Sequence, residues 1–209
     1  MISLEEYLKD PCGTLSIPFW KQEKIVIPNH MQILHDQEFS NIILKEYNDE
    51  PYFRLVHSLK NVKKTYVNTV QILFGVSNLN DFVQCINACY TDIEVTQEDL
   101  ENCCKTRVFY PDLWLLVKDI ETGKIIGSGI ADFDKEIGEV ILEWIQVLLE
   151  YRGRGFGQLI VNTLLEKMQG IAKFATVSGK VNNPTKPEIL YRKCGFTGND
   201  IWHILTKKI

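Results

Sequence analysis

The stretch EWIQVLLEYRGRGFGQLIVNTLLEKM, residues 143–168, decides the fold. It opens as an apolar strand, turns over residues 152–157 and continues as a helix with its apolar residues on one side. The first N–H groups of a helix have no intrahelical partners, and the helix dipole adds positive potential there. Glycines let a phosphate approach the backbone, and arginine adds a charged, forked donor. The stretch therefore predicts a site for a phosphate or pyrophosphate.

The spacing of the glycines excludes two familiar phosphate loops. No Gly-Lys-Ser/Thr follows, as a P-loop requires. The glycines alternate at positions 153, 155 and 157, which is not the G-x-G-x-x-G of a dinucleotide-binding fold, and the preceding strand belongs to a meander. The pattern that remains is Arg-x-x-Gly-x-Gly, on Arg152, Gly155 and Gly157. A glycine-rich turn with a purely structural role is the alternative.

That motif, after a strand ending in VLLEY, resembles the acyl-CoA-binding motif of the GNAT superfamily of N-acetyltransferases. A second segment, VNNPTKPEILYRKCGF at residues 181–196, is similar to the second signature of the family. The positions that carry this second similarity are Asn183, Pro184, Leu190, Tyr191, Gly195 and Phe196. The order of predicted strands and helices from about residue 65 to the C-terminus also matches the family.

The chain departs from the family pattern in three places. Leu149 stands where the family often has proline. The segment between Asn183 and Tyr191 is one residue longer than usual, so the first turn of its helix is expected to be displaced. Only one clear strand, DIWHILTKK, follows Phe196, where many members have two. Residues 1 to about 50 lie outside the resemblance.

The hydrophobic pattern predicts an α+β fold of mixed α/β character, in which helices flank a mostly antiparallel central sheet. Strands over residues 52–59 and 65–76 are separated by KNVKK, which is short enough for a hairpin. A three-stranded antiparallel meander precedes the glycine loop, and the strand FATVSGKV then returns parallel to its last strand. We expect an N-terminal arm, residues 1–50, packed on a GNAT acetyltransferase domain, residues 51–209.

The resemblance implies acetyl-CoA as the co-substrate. In the family the glycine loop holds the pyrophosphate, and the peptide-like pantetheine arm hydrogen-bonds to an exposed edge of the preceding strand. The backbone N–H of Val147 is then the expected donor to the thioester carbonyl. The residues that the resemblance assigns to coenzyme A are Ile145, Gln146, Val147, Leu149, Arg152, Gly153, Arg154, Gly155, Phe156, Gly157, Gln158 and Asn183.

The implied reaction is direct transfer of an acetyl group to a primary amine. A lysine-like amine has a pKa of about 10 in water, so a carboxylate of raised pKa is needed to take its proton. Glu143 is the candidate, because it lies within an apolar strand, on the face predicted to carry Ile141, Ile145 and Val147. Tyr191 matches the family position of a tyrosine that protonates the departing thiolate. The alternatives are a solvent-facing glutamate and a packed tyrosine.

The six cysteines predict no metal site. Cys85 and Cys89 lie four residues apart, but a metal site would require paired CxxC spacings or nearby histidines. Small buried side chains are the expected role of the cysteines. Cys194 as an acyl-carrying nucleophile would need a histidine partner, and His203 is the only one nearby in sequence.

Composition narrows the choice of partners. The net charge is −4 and the pI about 5.6, without the basic face that a nucleic-acid binder usually shows. No apolar run approaches the roughly 18 residues that span a bilayer. The acidic N-terminus does not resemble a secretory signal, so we expect a cytoplasmic protein without membrane partners. The expected partner is an amine substrate, either a small molecule or an amine of a peptide or protein, and a homodimer is compatible with the sequence.

Two other functions stay open at this stage. In the first, the chain is a catalytically silent acyl-CoA-binding or protein-interaction module on the same fold. In the second, it is a regulatory module that binds its partner through the N-terminal arm. Substitution of Glu143 and Tyr191 separates the enzyme from the silent module, because both changes should lower turnover and leave coenzyme A affinity nearly intact.

Overall fold

The protein is described from a computed structural model over residues 2–90 and 93–208. In these ranges the helices are α1 (Leu4–Lys9), α2 (Leu79–Asn87), α3 (Gln97–Cys103), α4 (Phe156–Met168) and α5 (Pro187–Lys193). The strands are β1 (Met31–His35), β2 (Tyr47–His57), β3 (Val70–Phe74), β4 (Trp114–Asp119), β5 (Ile125–Asp134), β6 (Glu139–Val147), β7 (Phe174–Lys180) and β8 (Thr197–Lys207). The predicted bounds 1–50 and 51–209 also take in Met1, Thr91, Asp92 and Ile209, which lie outside the described residues.

The strands form one sheet in the order β1-β8-β2-β7-β6-β5-β4-β3. Neighbouring strands run antiparallel, except that β6 and β7 are parallel because α4 crosses over between them. The predicted fold class, the meander β4-β5-β6 and the parallel return of β7 are confirmed. None of the helices in the described ranges combines the length and the apolar character that a membrane span requires.

Each face of the sheet is covered by helices from a different part of the chain. The apolar stripe of α4, which includes Ile160 and Leu164, packs on one face against residues such as Val140 and Leu142 of β6. On the opposite face, α2 and α3 pack over a second core around Trp114. The glycine loop emerges between these layers, where β6 ends and α4 begins.

Gly129 of β5 sets how closely α4 approaches the sheet. A Cβ atom at this position would fall inside the contact distance of Ile160 Cγ2 and would lie 3.2 Å from Leu164 Cδ1. Gly129→Ala is therefore expected to lower the free energy of unfolding by about 1–3 kcal/mol through overpacking. Denaturant unfolding measures this loss. The same change should cost less in an Ile160→Ala background, and an equal cost in both backgrounds would contradict the assigned clash.

The predicted hairpin between residues 52–59 and 65–76 is wrong. β2 pairs with β7 and β8, whereas β3 is the far edge strand and pairs with β4. The connection crosses the outside of α4, where Asn162 Nδ2 donates to Thr65 Oγ1 at 2.7 Å and Lys64 Nζ lies 3.2 Å from Glu166 Oε1. A short polar linker permits a hairpin but does not require one, and here the linker carries the chain across the helix.

The N-terminal residues contribute both an arm and a strand. Ser3 and Glu6 form a capping box at the start of α1. Tyr7 of α1 is 1% exposed and stacks on Phe19 with ring centroids 4.8 Å apart. Further along, β1 pairs antiparallel with β8, so part of the predicted arm extends the sheet. Helix α1 and the 3-10 segment Ile17–Gln22 thus lie against β6, and the chain then joins the sheet edge as β1.

Candidate active site

The loop between β6 and α4 is held in shape by its glycines and by Arg152. Gly153 and Gly155 have φ values of 78° and 88°, in the left-handed region where other residues are strained. Arg152 Nε donates to the Val147 carbonyl oxygen at 2.9 Å, which ties the loop back to the end of β6. Arg154 lies over the Tyr151 ring, 5.3 Å from its centroid. The chain therefore turns sharply here and keeps both guanidinium groups beside the loop.

The start of α4 presents unpaired backbone donors. Its N-cap is Gly155, which provides no side-chain cap, and the first intrahelical hydrogen bond runs from Leu159 N to Gly155 O at 3.0 Å. The N–H groups of Phe156, Gly157 and Gln158 consequently have no intrahelical acceptor. Together with the helix dipole, they form a cradle that suits a phosphate or pyrophosphate.

The β7-facing side of β6 is open next to this loop. β6 pairs with β5 as far as Val147, but it pairs with β7 only over Glu139–Leu142. Within the described ranges, no strand continues the pairing of residues 143–147 on that side. An unpaired strand edge is the backbone arrangement that binds an extended, peptide-like ligand.

A β-bulge at Glu143 changes the faces that the alternation predicted. Ile130 pairs with Trp144 while Ala131 pairs with Leu142, so Glu143 is an extra residue on β6. Ile145 therefore packs on the α4 side of the sheet. The expectation that Glu143 shares a face with Ile145 and Val147 is wrong, because one inserted residue reverses the alternation beyond it.

Glu143 is enclosed and paired rather than facing solvent. Its side chain is 19% exposed, and its Oε1 lies 3.3 Å from Lys21 Nζ. The same ammonium is 2.9 Å from Asp132 Oδ2 on β5. Burial raises the pKa of the Glu143 carboxyl, while Lys21 opposes this shift and Asp132 adds to it. A carboxyl with a raised pKa is the kind of group that acts as a general base near neutral pH.

Tyr191 lies on α5, 7% exposed, between the rings of Phe53 and Phe196. Burial raises the pKa of its hydroxyl, and the nearby Tyr90 and Cys194 raise it further. The phenol is thus held in its protonated form and can donate a proton.

The remaining predicted residues fall into different surroundings. Leu149 is 73% exposed in the loop, whereas Gln146 is 4% exposed and its amide donates to Ser128 Oγ. Gly157 allows close packing, since a Cβ there would lie 3.0 Å from Leu190 Cδ2. Asn183 Oδ1 accepts hydrogen bonds from the backbone N–H and hydroxyl of Thr185, at 2.9 and 2.7 Å, in the turn before α5. Its role toward coenzyme A stays a prediction.

The helix that carries Tyr191 follows a residue of left-handed conformation, and the displacement of its first turn from the family pattern stays a prediction. Lys186 takes a left-handed conformation with φ of 49°, and Pro187 follows as the first residue of α5. Cys194, the alternative nucleophile, is buried, and burial raises the pKa of its thiol to about 11. His203 is held by Asp36 and Asp49 at 3.2 and 3.0 Å. In the described part of the chain, no group of His, Cys, Asp or Glu side chains is placed to hold a metal ion.

A cleft of about 500 Å³ opens beside α2. It reaches Leu148 at the start of the loop, but neither Glu143 nor Tyr191 lines it. The residues that line this cleft are Leu73, Asp81, Gln84, Cys85, Ala88, Lys118, Gly123, Lys124, Ile125 and Leu148. We therefore place the candidate chemistry at the open edge of β6 rather than in this cleft.

The sequence did not point to two residues beside Glu143, namely Lys21 and Asp132. Asp132 offered a signal, because an aspartate inside the apolar strand GSGIADFD is costly to bury without a partner. Lys21 offered none, since the arm had no recognisable periodicity and its docking on β6 depends on contacts far apart in sequence.

Comparison with known proteins agrees with this architecture. The family model described as an acetyltransferase (GNAT) domain matches residues 111–198. Among solved structures, a GCN5-related N-acetyltransferase from Sphaerobacter thermophilus has a TM-score of 0.71 at 16% identity, over 85% of this chain and 58% of that one. An acetyltransferase of the GNAT family from Colwellia psychrerythraea has a TM-score of 0.60 at 15% identity, over 84% of this chain and 64% of that one.

A GCN5-related N-acetyltransferase from Kribbella flavida is also similar, with a TM-score of 0.55 at 14% identity, over 86% of this chain and 68% of that one. No curated protein sequence matches the chain. The chain spans little more than half of the Sphaerobacter structure, so these identities support the fold and leave acceptor and partners undetermined.

Proposed function

Because a GNAT acetyltransferase family model matches residues 111–198 and the fold is that of GNAT structures, we propose that the chain is an acetyl-CoA-dependent N-acetyltransferase. It would transfer the acetyl group directly to a primary amine. The open edge of β6 carries this proposal, since it runs from the uncapped start of α4 to the enclosed carboxyl of Glu143. The candidate base, the strand edge that can dock a peptide-like ligand, and the phosphate cradle thus follow one another from β6 into the start of α4.

The binding of acetyl-CoA is assigned to the loop and the strand edge. The amides of residues 153–158 would hold the pyrophosphate, with charge supplied by Arg152 and Arg154. The edge of residues 145–149 would bind the pantetheine arm through backbone hydrogen bonds. The glycine conformations and the absence of a side-chain cap on α4 support the fit, because both leave backbone donors accessible to a ligand.

Three groups would share the chemistry. Acetyl-CoA supplies the thioester whose acyl carbon forms the new bond to nitrogen as the bond to sulfur breaks. Glu143 would take the proton of the amine, directly or through water. The backbone N–H of Val147 would stabilise the charge that develops on the carbonyl oxygen. Tyr191, at the position where the family resemblance places a tyrosine, would return a proton to the departing thiolate.

The acceptor class, oligomeric state and location belong to the same proposal. We assign the acceptor as a primary amine on a small molecule, a peptide or a protein. For the oligomeric state, a homodimer is the open alternative to a monomer. The acidic balance of the chain favours cationic acceptors by electrostatic steering. A cytoplasmic location is supported by the six cysteines, which are all unpaired.

Amine-dependent release of free thiol from acetyl-CoA tests the proposed reaction. The purified chain would be incubated with acetyl-CoA and a panel of alkylamines, polyamines, amino sugars and peptides, with mass spectrometry of the products. We expect one class of amine to gain an acetyl group in step with thiol release. If acetyl-CoA binds but no amine of any class is acetylated, the catalytically silent module replaces the enzyme.

A further inference from the structure

The ammonium of Lys21 occupies the space between the two carboxylates of the candidate site. Lys21 belongs to the 3-10 segment Ile17–Gln22, and its Nζ lies 2.9 Å from Asp132 and 3.3 Å from Glu143. Its side chain is only 15% exposed, although it comes from the N-terminal arm and not from the sheet. A primary ammonium on an alkyl stem therefore already sits beside the carboxyl that we assign as the base.

The surroundings of Lys21 are charged asymmetrically. Two carboxyl groups face one ammonium, so the cluster carries excess negative charge whenever both carboxyl groups are ionised. Burial lowers the pKa of Lys21, but Glu143 and Asp132 outweigh it and the net shift is upward. The Trp20 ring, 4.9 Å from Nζ, adds a cation–π contact. The site thus holds a cation of this shape firmly and in its protonated form.

A second feature shows that Lys21 does not complete the polar groups of the site. Trp114 lines the same small cavity as Lys21, Asp132 and Glu143. Trp114 is fully buried, and within the described ranges its indole N–H has no hydrogen-bond partner. Buried donors without partners are uncommon and call for a specific explanation. An alkylammonium carries no acceptor, so this N–H would report on occupancy of the subsite rather than bind the amine itself.

We infer that Asp132 and Glu143 form the ammonium subsite for the acceptor amine, and that Lys21 fills this subsite as an internal substitute for the acceptor. This inference rests on the proposed function and deepens it. The acceptor class is a primary alkylammonium, which is the group that Lys21 presents. The segment Ile17–Gln22 must leave the subsite before an acceptor enters, so the arm acts as an autoinhibitory cover.

Occupancy explains why the covered form is inactive. While Lys21 Nζ lies between Asp132 and Glu143, an acceptor ammonium cannot reach either carboxylate. Once Lys21 has left, the acceptor ammonium enters, Glu143 takes its proton, and the free amine attacks the thioester.

Binding of n-butylamine to wild type, Lys21→Met and Lys24→Met tests the inference. Lys24 is exposed in the same arm and gives the matched control. Methionine keeps an unbranched stem and removes the charge, so Lys21→Met should bind n-butylamine at least tenfold more tightly than wild type or Lys24→Met. The indole N–H resonance of Trp114, assigned with Trp114→Phe, should shift on binding. Addition of Asp132→Asn to Lys21→Met should remove the gain, and n-butanol should not bind.

A labelling experiment on the wild-type protein covers the case in which Lys21→Met does not fold. Trace acetylation with acetic anhydride, read by peptide mass spectrometry, should show Lys21 protected relative to Lys24, and saturating n-butylamine should remove that protection. Unchanged amine affinity in folded Lys21→Met, or Lys21 labelling unaffected by n-butylamine, overturns the inference. Acetyl-CoA binding is measured on the same samples. If either result is negative while acetyl-CoA still binds, only the proposed subsite is refuted. If acetyl-CoA does not bind, the proposed function is refuted.

Discussion

Glu143→Gln is expected to lower kcat by about 10²-fold or more, measured with an acceptor amine identified in the amine panel. The amide keeps the size of the side chain but cannot take a proton from the amine. Acetyl-CoA affinity should change little, because the loop and the β6 edge beyond residue 143 are untouched. Steady-state kinetics beside calorimetric titration of acetyl-CoA measures both quantities.

The pH profile of the same variant gives an independent check. Burial raises the pKa of Glu143, and the base works only in its unprotonated form. Wild-type activity should therefore rise with pH through that raised pKa, and the acidic limb should disappear in Glu143→Gln. Glu136→Gln, at an exposed position in the turn before β6, is the control and should behave as wild type. An unchanged kcat in Glu143→Gln would remove Glu143 from the mechanism.

Arg54→Met is expected to lower the free energy of unfolding by about 3–5 kcal/mol, because it leaves the buried Glu139 carboxylate without its cation. Arg54 NH2 lies 3.3 Å from Glu139 Oε1 and donates to Tyr7 Oη at 2.8 Å, while its Nε donates to the Pro11 carbonyl at 2.8 Å. The network also includes Thr176, which donates to Glu139. Since these contacts join the arm, β2, β6 and β7, one substitution disturbs four elements.

The loss in Arg54→Met should depend on pH. Burial raises the pKa of Glu139, opposed by Arg54, so removal of Arg54 raises the folded-state pKa further above the unfolded value. Stability of the variant then falls as pH rises above the unfolded pKa of the carboxyl and recovers as pH falls. Denaturant unfolding at several pH values, with Arg107→Met as the exposed control, measures this. A deficit that grows as pH falls would contradict the assigned cause.

Sequence alone predicted the parts of the fold that depend on local signals. The glycine loop, α4 and the meander follow from apolar periodicity and turn residues that lie close together in the chain. The capping boxes at Ser3 and Thr96 are equally local, since each motif spans four residues. Tyr191, which its place in the second signature singles out, is buried among aromatic rings, and its catalytic role stays a prediction.

Features that depend on distant pairing could not be predicted in this way. The linker after β2 is compatible with a hairpin, and only the packing of Thr65 against α4 shows that it crosses the helix instead. The bulge at Glu143 is a register shift between β5 and β6, which alternation along one strand cannot reveal. Lys21 reaches the site because Tyr7 and Phe19 anchor the arm on the body. Each of these contacts joins residues that are remote in sequence.

Calorimetric titration of acetyl-CoA into wild type, Gly155→Ala and Gly170→Ala tests the central claim most directly, namely that the loop before α4 holds coenzyme A. Both glycines have positive φ, 88° and 78°, and a Cβ at either position meets nothing within 4 Å. The two variants should therefore carry a similar backbone strain of about 1–2 kcal/mol. Only Gly155 lies in the proposed phosphate cradle, because Gly170 follows the other end of α4.

We predict that wild type and Gly170→Ala bind acetyl-CoA with similar affinity, and that Gly155→Ala binds at least tenfold more weakly. At a concentration about a hundred times Kd, acetyl-CoA should stabilise the wild-type protein by roughly 2.7 kcal/mol, seen as a rise in Tm. Equal affinities in all three proteins would place coenzyme A elsewhere. No heat of binding and no Tm shift in wild type would contradict the claim, and the glycines would then serve only the fold.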